Sequence, residues 1–300
     1  MAKSTRPFAR WDALEESTWS FRVFSQYDTQ LMGFWGTHLS STAFTYSQLG
    51  KTGASWTDSP GKHFRAGVEP DSFCPDLRTW SALFNSFGDW INLSIVLTLA
   101  ANLETYMASV IRLALESDPA VLLGTPHAID GIEVLKHRKA GAIIVSDHIE
   151  ACTKGEWSSR LAALTRIFGT CPQGMLLHHS ALEELRKVRN RFGHAFGREI
   201  EEARRMGSLD VPPMEKVKRT RVEKLRHAVL GAARALDQHL LKSHIGEFEA
   251  LQFYHRLYPS LNQDVPSGQR AYYLKKAIGV HGAVRGKALC KGLVDYYEAL

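Results

Sequence analysis

Apolar residues recur at spacings of three and four from Trp90 through Leu93, Val96, Leu97, Ala100, Leu103, Met107, Val110, Ile111 and Ala114. That period predicts a helix over Asp89 to Ser117, ended by Asp118-Pro119. Its richest stretch, Trp90 to Leu103, carries Asn92, Ser94, Thr98 and Asn102 and is shorter than the roughly 20 residues that cross a bilayer. It reads as a buried core helix. Glu156 to Phe168 repeats the pattern with Trp157, Leu161, Leu164 and Ile167, and Gly169 supplies a stop. A further helix is expected from Ser180, as its cap, to about Gly197, with Leu182, Leu185, Val188 and Phe192 inward and Glu183 and Glu184 in the first turn. After the break MGSLDVPP, a long helix is expected from Pro213 to about Phe248, with Val217, Val222, Leu225, Val229, Ala232, Leu236 and Leu240 inward. Ala128 to Arg138 and Ala140 to Cys152 are weaker helical stretches. Strand alternation is absent from residues 86–250, so the expected class is mainly α, a helical bundle.

The two ends read differently. Arg10 to Gln30 can form one amphipathic helix with Trp11, Leu14, Phe21 and Phe24 on its apolar side. After Leu31 the helix signal is poor, and Leu49 to Pro75 reads as loop or short strands. Residues 1–85 are therefore expected to be an irregular N-terminal extension, 86–250 the bundle, and 251–300 a small basic C-terminal extension of helices interrupted by Gly279, Gly282, Gly286 and Gly292.

Composition narrows the class without naming a function. The chain is 44% apolar and 23% charged, which argues against a disordered chain and a membrane bundle. A formal charge of +6 favours a polyanionic partner mildly. The first residues, MAKSTRPFARWDALEEST, contain no apolar core of a signal peptide, and no CxxC pair occurs among Cys74, Cys152, Cys171 and Cys290. The expectation is a cytoplasmic protein with free thiols and no membrane partner.

Candidate chemistry concentrates in Arg189-Asn190-Arg191-Phe192-Gly193-His194. RNA can be cut without metal when the neighbouring 2'-OH attacks phosphorus. A group must then take the hydroxyl proton, and another must neutralise charge building on the phosphoryl oxygens. Histidine suits proton transfer near neutrality, and arginine presents a charged fork matched to phosphate. Asn190 and His194 are four apart and share a helix face, whereas Arg189 points elsewhere on an ideal helix. Either Gly193 ends or distorts the helix there, or Arg189 meets a second copy of His194 across a two-fold axis. Gly193 and Gly197, four apart, would leave room for a partner helix. Arg186, Lys187, Arg191 and Arg198 flank the segment as candidate RNA contacts. More cations follow at Lys216, Lys218, Arg219, Arg221, Lys224 and Arg226, partly offset by Glu199, Glu201, Glu202, Glu215 and Glu223. For most of these a mixed-charge solvated surface is the simpler account.

This segment resembles the motif of the HEPN-like family, an Arg followed by a polar residue, often Asn, and after a short gap by a His. The resemblance covers roughly residues 86–250. It implies a bundle of about four to five helices whose long first helix carries an acidic residue near its middle. Asn102-Leu103-Glu104-Thr105-Tyr106 stands at that place, so Glu104 is expected to orient Arg189, with Asn102 beside it. It further implies Arg189, Asn190 and His194 as catalytic residues of a metal-independent endoribonuclease, with products bearing a 2',3'-cyclic phosphate and a 5'-OH. No cofactor or metal is called for. A shared site in a homodimer, a toxin or anti-phage role, and an antitoxin or other regulatory protein as partner are also implied. The alternatives are a non-catalytic module of the same kind that binds RNA, nucleotide or a protein partner, and a helical adaptor whose basic face docks an acidic protein. Other signals are weak. Gly50-Lys51-Thr52 lacks the first glycine of a phosphate loop, His178-His179 point apart on a helix, and neither HExxH nor GxSxG occurs.

Overall fold

The computed structural model describes residues 8–64, 74–137, 145–193, 197–205, 209–281 and 285–300. Every regular element among them is helical: α1 Trp19–Lys51, α2 Leu77–Ser117, α3 Gly131–His137, α4 Ser146–Thr153, α5 Trp157–Phe168, α6 Gln173–Leu177, α7 His179–Phe192, α8 Ile200–Ala203, α9 Arg219–Leu240, α10 Phe248–Leu257, α11 Ser267–Val280 and α12 Lys287–Ala299. The mainly α class therefore holds. The residues fall into two compact units, each drawn from separate stretches of chain. Unit 1 contains residues 1–23, 104–177 and 231–300, and unit 2 contains 24–103 and 178–230.

The helix expected over Arg10–Gln30 starts later, at Trp19, and runs on to Lys51, so residues 1–85 are not the irregular extension expected. The polar side chains of α1 hid the helix by satisfying themselves locally. The hydroxyls of Thr29, Thr37, Thr42 and Thr45 each donate to the carbonyl four residues back, at 2.8–2.9 Å. Aromatic packing within unit 2 outweighs the weak intrinsic propensity. Trp80, Phe84, Phe87 and Trp90 stack in sequence along α2, and Tyr46 of α1 meets Trp80 and Phe84 at ring-centre distances of 6.0 Å. The helix α2 also starts earlier than its apolar period, at Leu77, where the Asp76 carboxylate accepts the Thr79 N–H at 2.8 Å. By length and composition α2 could cross a membrane, and half of its most apolar window is buried within the protein.

Unit 2 holds α7. Leu182, Leu185, Val188 and Phe192 are buried, as the period predicts, and burying each contributes about 1.5–3 kcal/mol. Asn92 ties the packing together. Its Nδ2 donates to the Val217 carbonyl at 2.9 Å and its Oδ1 accepts from Trp35 Nε1 at 2.9 Å. Ser180 does not cap α7 as expected; it lies inside the helix, and His178 takes the cap position without a side-chain bond.

Unit 1 is closed by its N-terminal segment. The side chain of Arg10 is 4% exposed; it bonds Asp130, the Ser117 Oγ at 2.8 Å and the Ile245 carbonyl at 2.8 Å. Thr18 caps α1 by accepting the Phe21 N–H at 3.0 Å, while its own N–H and hydroxyl donate to the buried Asp237. The expected Pro213–Phe248 helix is interrupted. After α9 comes a π-helical turn, Leu241–Ile245, and then Gly246 at φ +54°. A Cβ on Gly246 would stand 2.4 Å from the Arg10 carbonyl oxygen, so glycine permits the chain to pass there.

Candidate functional site

The last turn of α7 presents Arg189, Asn190 and Arg191 to solvent, because Leu185, Val188 and Phe192 take the inward positions of the same helix. Arg189 Nη1 donates to Asn190 Oδ1 at 3.1 Å, so the amide steers the guanidinium of its neighbour. Gly193 ends the helix, as one of the expected alternatives had it: α7 stops at Phe192 and Gly193 takes the C-cap position. Its backbone is right-handed, φ −67° and ψ −17°, and its N–H donates to the Arg189 carbonyl at 3.0 Å. A Cβ there would meet that carbonyl oxygen at 2.6 Å. His194 lies outside the described residues.

Beside this turn runs a groove of about 440 Å³. Its rim carries Arg186, Lys187, Arg191 and Arg204 against Glu199 and Glu201, with Asn190 between them, an excess of two positive charges that suits a phosphate chain. Arg186 is already held by Glu183, with Nε at 3.0 Å and Nη2 at 2.5 Å from its oxygens. Arg198 donates from Nε to the Pro212 carbonyl at 2.9 Å, which anchors the loop and reduces its freedom to follow a ligand. Arg191 lies over the Phe192 ring at 5.6 Å.

One expectation needs correction and another holds. Gly193 and Gly197 do not form one small-residue helix face. Gly197 lies beyond α7 at φ +74°, buried, and a Cβ there would stand 2.7 Å from Leu93 Cδ2 and 3.0 Å from Met214 Cγ. Its space is taken by its own chain. The cations of α9 are largely neutralised, as the simpler account expected. Arg221 meets Glu184 at 2.7 Å and Glu215 at 3.0 Å, Arg219 meets Glu223 at 2.9 Å, and Arg226 meets Asp28 at 2.6 Å.

Glu104 is half-buried in unit 1, where its carboxylate accepts from Arg160 Nη2 at 3.0 Å. Arg160 also donates to the Gly155 carbonyl at 3.0 Å, so Glu104 has a fixed basic partner of its own. Asn102, in unit 2, donates to the Phe24 carbonyl at 3.4 Å.

Unit 1 also holds polar groups that no local motif announced. Asp237 accepts from Tyr106 Oη at 3.0 Å, and burial raises both the Asp237 carboxyl and the Tyr106 phenol above their ordinary ranges. Nearby, Glu249 lines an open groove of about 550 Å³ with Arg112 and Arg256, and burial pushes its carboxyl up to about 7. Asp118, His127 and His244 offer one ligand atom each within 4.8 Å of one another. They are too far apart in sequence to form a readable spacing. No family model, curated protein or solved structure matches the chain.

Proposed function

We propose that the protein is a metal-independent endoribonuclease whose chemistry is carried by Arg189, Asn190 and His194. The reading rests on one observation above others. Arg189 and Asn190 stand bonded and exposed on the last turn of α7, beside a groove whose rim is net positive. Asn190 holds the guanidinium, and the guanidinium neutralises charge on the phosphoryl oxygens. The 2'-OH of the target nucleotide attacks phosphorus as His194 accepts its proton, the P–O5' bond breaks, and the leaving 5'-oxygen takes a proton from water. The products are a 2',3'-cyclic phosphate and a 5'-OH. In a homodimer the proton carrier facing Arg189 is His194 of the partner subunit. A toxin or anti-phage role in the cytoplasm, under a regulatory partner, is the setting in which such a nuclease makes sense. The adaptor reading is weaker, since Arg219, Arg221 and Arg226 of α9 are already paired with acids of α9, α7 and α1.

The test is to incubate pure protein with total RNA in excess EDTA, beside His194→Ala. Cleavage by the wild type alone, leaving cyclic-phosphate ends, is the expected result. Salt-sensitive binding without cleavage would replace the proposal with a non-catalytic RNA-binding module.

A further inference from the structure

In unit 1 three side chains from distant parts of the chain converge on one point. Asp118 follows α2 and is fully buried. Its Oδ1 is held by the backbone N–H of His127 at 2.9 Å, which turns Oδ2 toward two imidazoles. His244 Nδ1 lies 2.9 Å from Oδ2, and His127 Nε2 lies 3.8 Å from it. The Ser243 carbonyl oxygen is 2.7 Å from the same His127 nitrogen. A tetrahedral cation with ligands about 2.0–2.2 Å away needs donor atoms about 3.3 Å apart. Oδ2 lies closer than that value to one imidazole nitrogen and farther from the other, and all three ligand atoms lie within 4.8 Å of one another, so closing on an ion requires the His127 nitrogen to leave the Ser243 carbonyl and move inward.

The backbone is bent to make this arrangement. His127 is the non-glycine position with positive φ among the described residues, at +65°. His244 sits on the π-helical turn, a local irregularity that costs helix hydrogen-bond geometry. Either feature alone is ordinary. Together they aim two imidazoles at one buried carboxylate. The adjoining His239, its ring centre 6.1 Å from that of His244, keeps a buried Nε2 with no hydrogen-bond partner among the described residues. Such a nitrogen asks for a donor or acceptor that the protein does not supply.

We propose that Asp118, His127 and His244 form a binding site for a first-row divalent metal, zinc in the first place. Two imidazoles and a carboxylate are the ligand types that zinc takes, and the His127 backbone amide fixes the carboxylate from behind. His127 is about two-fifths exposed, which gives the ion its way in and leaves a coordination position for water. Trp11 stacks on the His127 ring at 4.1 Å and 20°. The ion would thus pin the N-terminal segment, the turn after α2 and the π turn to one another. The site is separate from the α7 chemistry and does not depend on it.

The experiment uses the full chain, stripped with EDTA and dialysed. Zinc is measured by equilibrium dialysis, and cobalt is titrated while tryptophan fluorescence is followed. One zinc per chain is expected, with cobalt quenching a component that Trp11→Phe removes. His127→Asn is the chosen variant because asparagine tolerates the left-handed backbone and is a poor zinc ligand. It should fold as the wild type does and lose on the order of 100-fold or more in zinc affinity. Absence of stoichiometric zinc, or equal affinity in wild type and His127→Asn, would overturn the site.

Discussion

Glu249 accepts the backbone N–H of Trp19 at both carboxylate oxygens, at 3.1 and 3.0 Å, and so closes the first turn of α1. The bond favours the charged form, yet the enclosing protein wins and raises the carboxyl to about 7 from 4.5. Between those values the folded protein keeps a proton that the unfolded chain has released. The contribution to stability is complete below about 4.5 and is lost as pH rises toward about 7. Asp237 is raised too and acts in the same direction. Glu249→Gln keeps an acceptor and cannot ionise. Urea unfolding at pH 5 and pH 8 should therefore show the variant gaining on the wild type at the higher pH. A difference that stays constant with pH would show that Glu249 ionises normally.

The nuclease proposal separates chemistry from binding. His194→Ala should abolish cleavage and leave RNA affinity nearly unchanged. Arg189→Ala should slow cleavage about 100- to 1,000-fold, the usual cost of losing one transition-state donor. Arg189→Lys should not restore it, since a point charge lacks the fork that Asn190 steers. Lys216→Ala should at most weaken binding and lower its salt slope by about one. A fully active His194→Ala or Arg189→Lys would end the proposal.

Chelation distinguishes the two sites. EDTA should leave cleavage intact while lowering the melting temperature of unit 1, and zinc should restore it. Cleavage lost in EDTA and recovered with magnesium would count against the α7 mechanism and say nothing against the Asp118 site. Light scattering at micromolar concentration should give the mass of a dimer. A fully active monomer would remove His194 of the partner subunit from the scheme.

Gly197 carries a backbone requirement close to the site. At φ +74°, with Leu93 and Met214 inside contact distance of any Cβ, Gly197→Ala should cost about 1–3 kcal/mol in chemical denaturation. Ala at Gly33, where the helix leaves open space, should be neutral or slightly stabilising by the same measure.

Arg10 offers the sharpest stability test. Its guanidinium is buried against Asp130, Ser117 and the Ile245 carbonyl, so Arg10→Ala strands a carboxylate and two oxygens in the interior. Breaking such a pair costs about 3–5 kcal/mol. Calorimetry on Arg10→Ala should show a much lower melting temperature; an unchanged one would mean that water already reaches Asp130.

The parts of the fold that read from the sequence were those with a single apolar face. In α5 and α7 the buried residues repeat every three or four positions; α5 lies within a residue of its expected bounds, and α7 starts within a residue of its expected start but ends at Phe192, capped by Gly193, short of the expected Gly197. In α1 the burial is sparse, at Phe24, Asp28, Trp35 and Leu49, so no period exists to read. The break after α9 escaped for another reason, because Gly246 is demanded by Arg10, more than 200 residues earlier. The candidate site was legible where its residues are contiguous. Glu104 shows the limit: its place along a helix was readable, whereas its partner Arg160 was set by packing. Asp118, His127 and His244 left no trace, since a ligand set made by tertiary contacts has no spacing.

The joint at Arg10 has a consequence for how the protein is made. Asp130, which Arg10 holds, also accepts the hydroxyl of Tyr296 at 2.6 Å, and Phe8 packs where a Cβ on Gly292 would stand. The stretch from Phe8 to Arg10 therefore depends on α12 for its packing. While the ribosome is still adding residues 231–300, all of unit 2, with α7, has already been translated. Unit 1 cannot close until α12 clears the exit tunnel. A chain ending before Lys287 would carry α7 whole but leave Asp130 without the Tyr296 hydroxyl and Phe8 without the Gly292 surface it packs on.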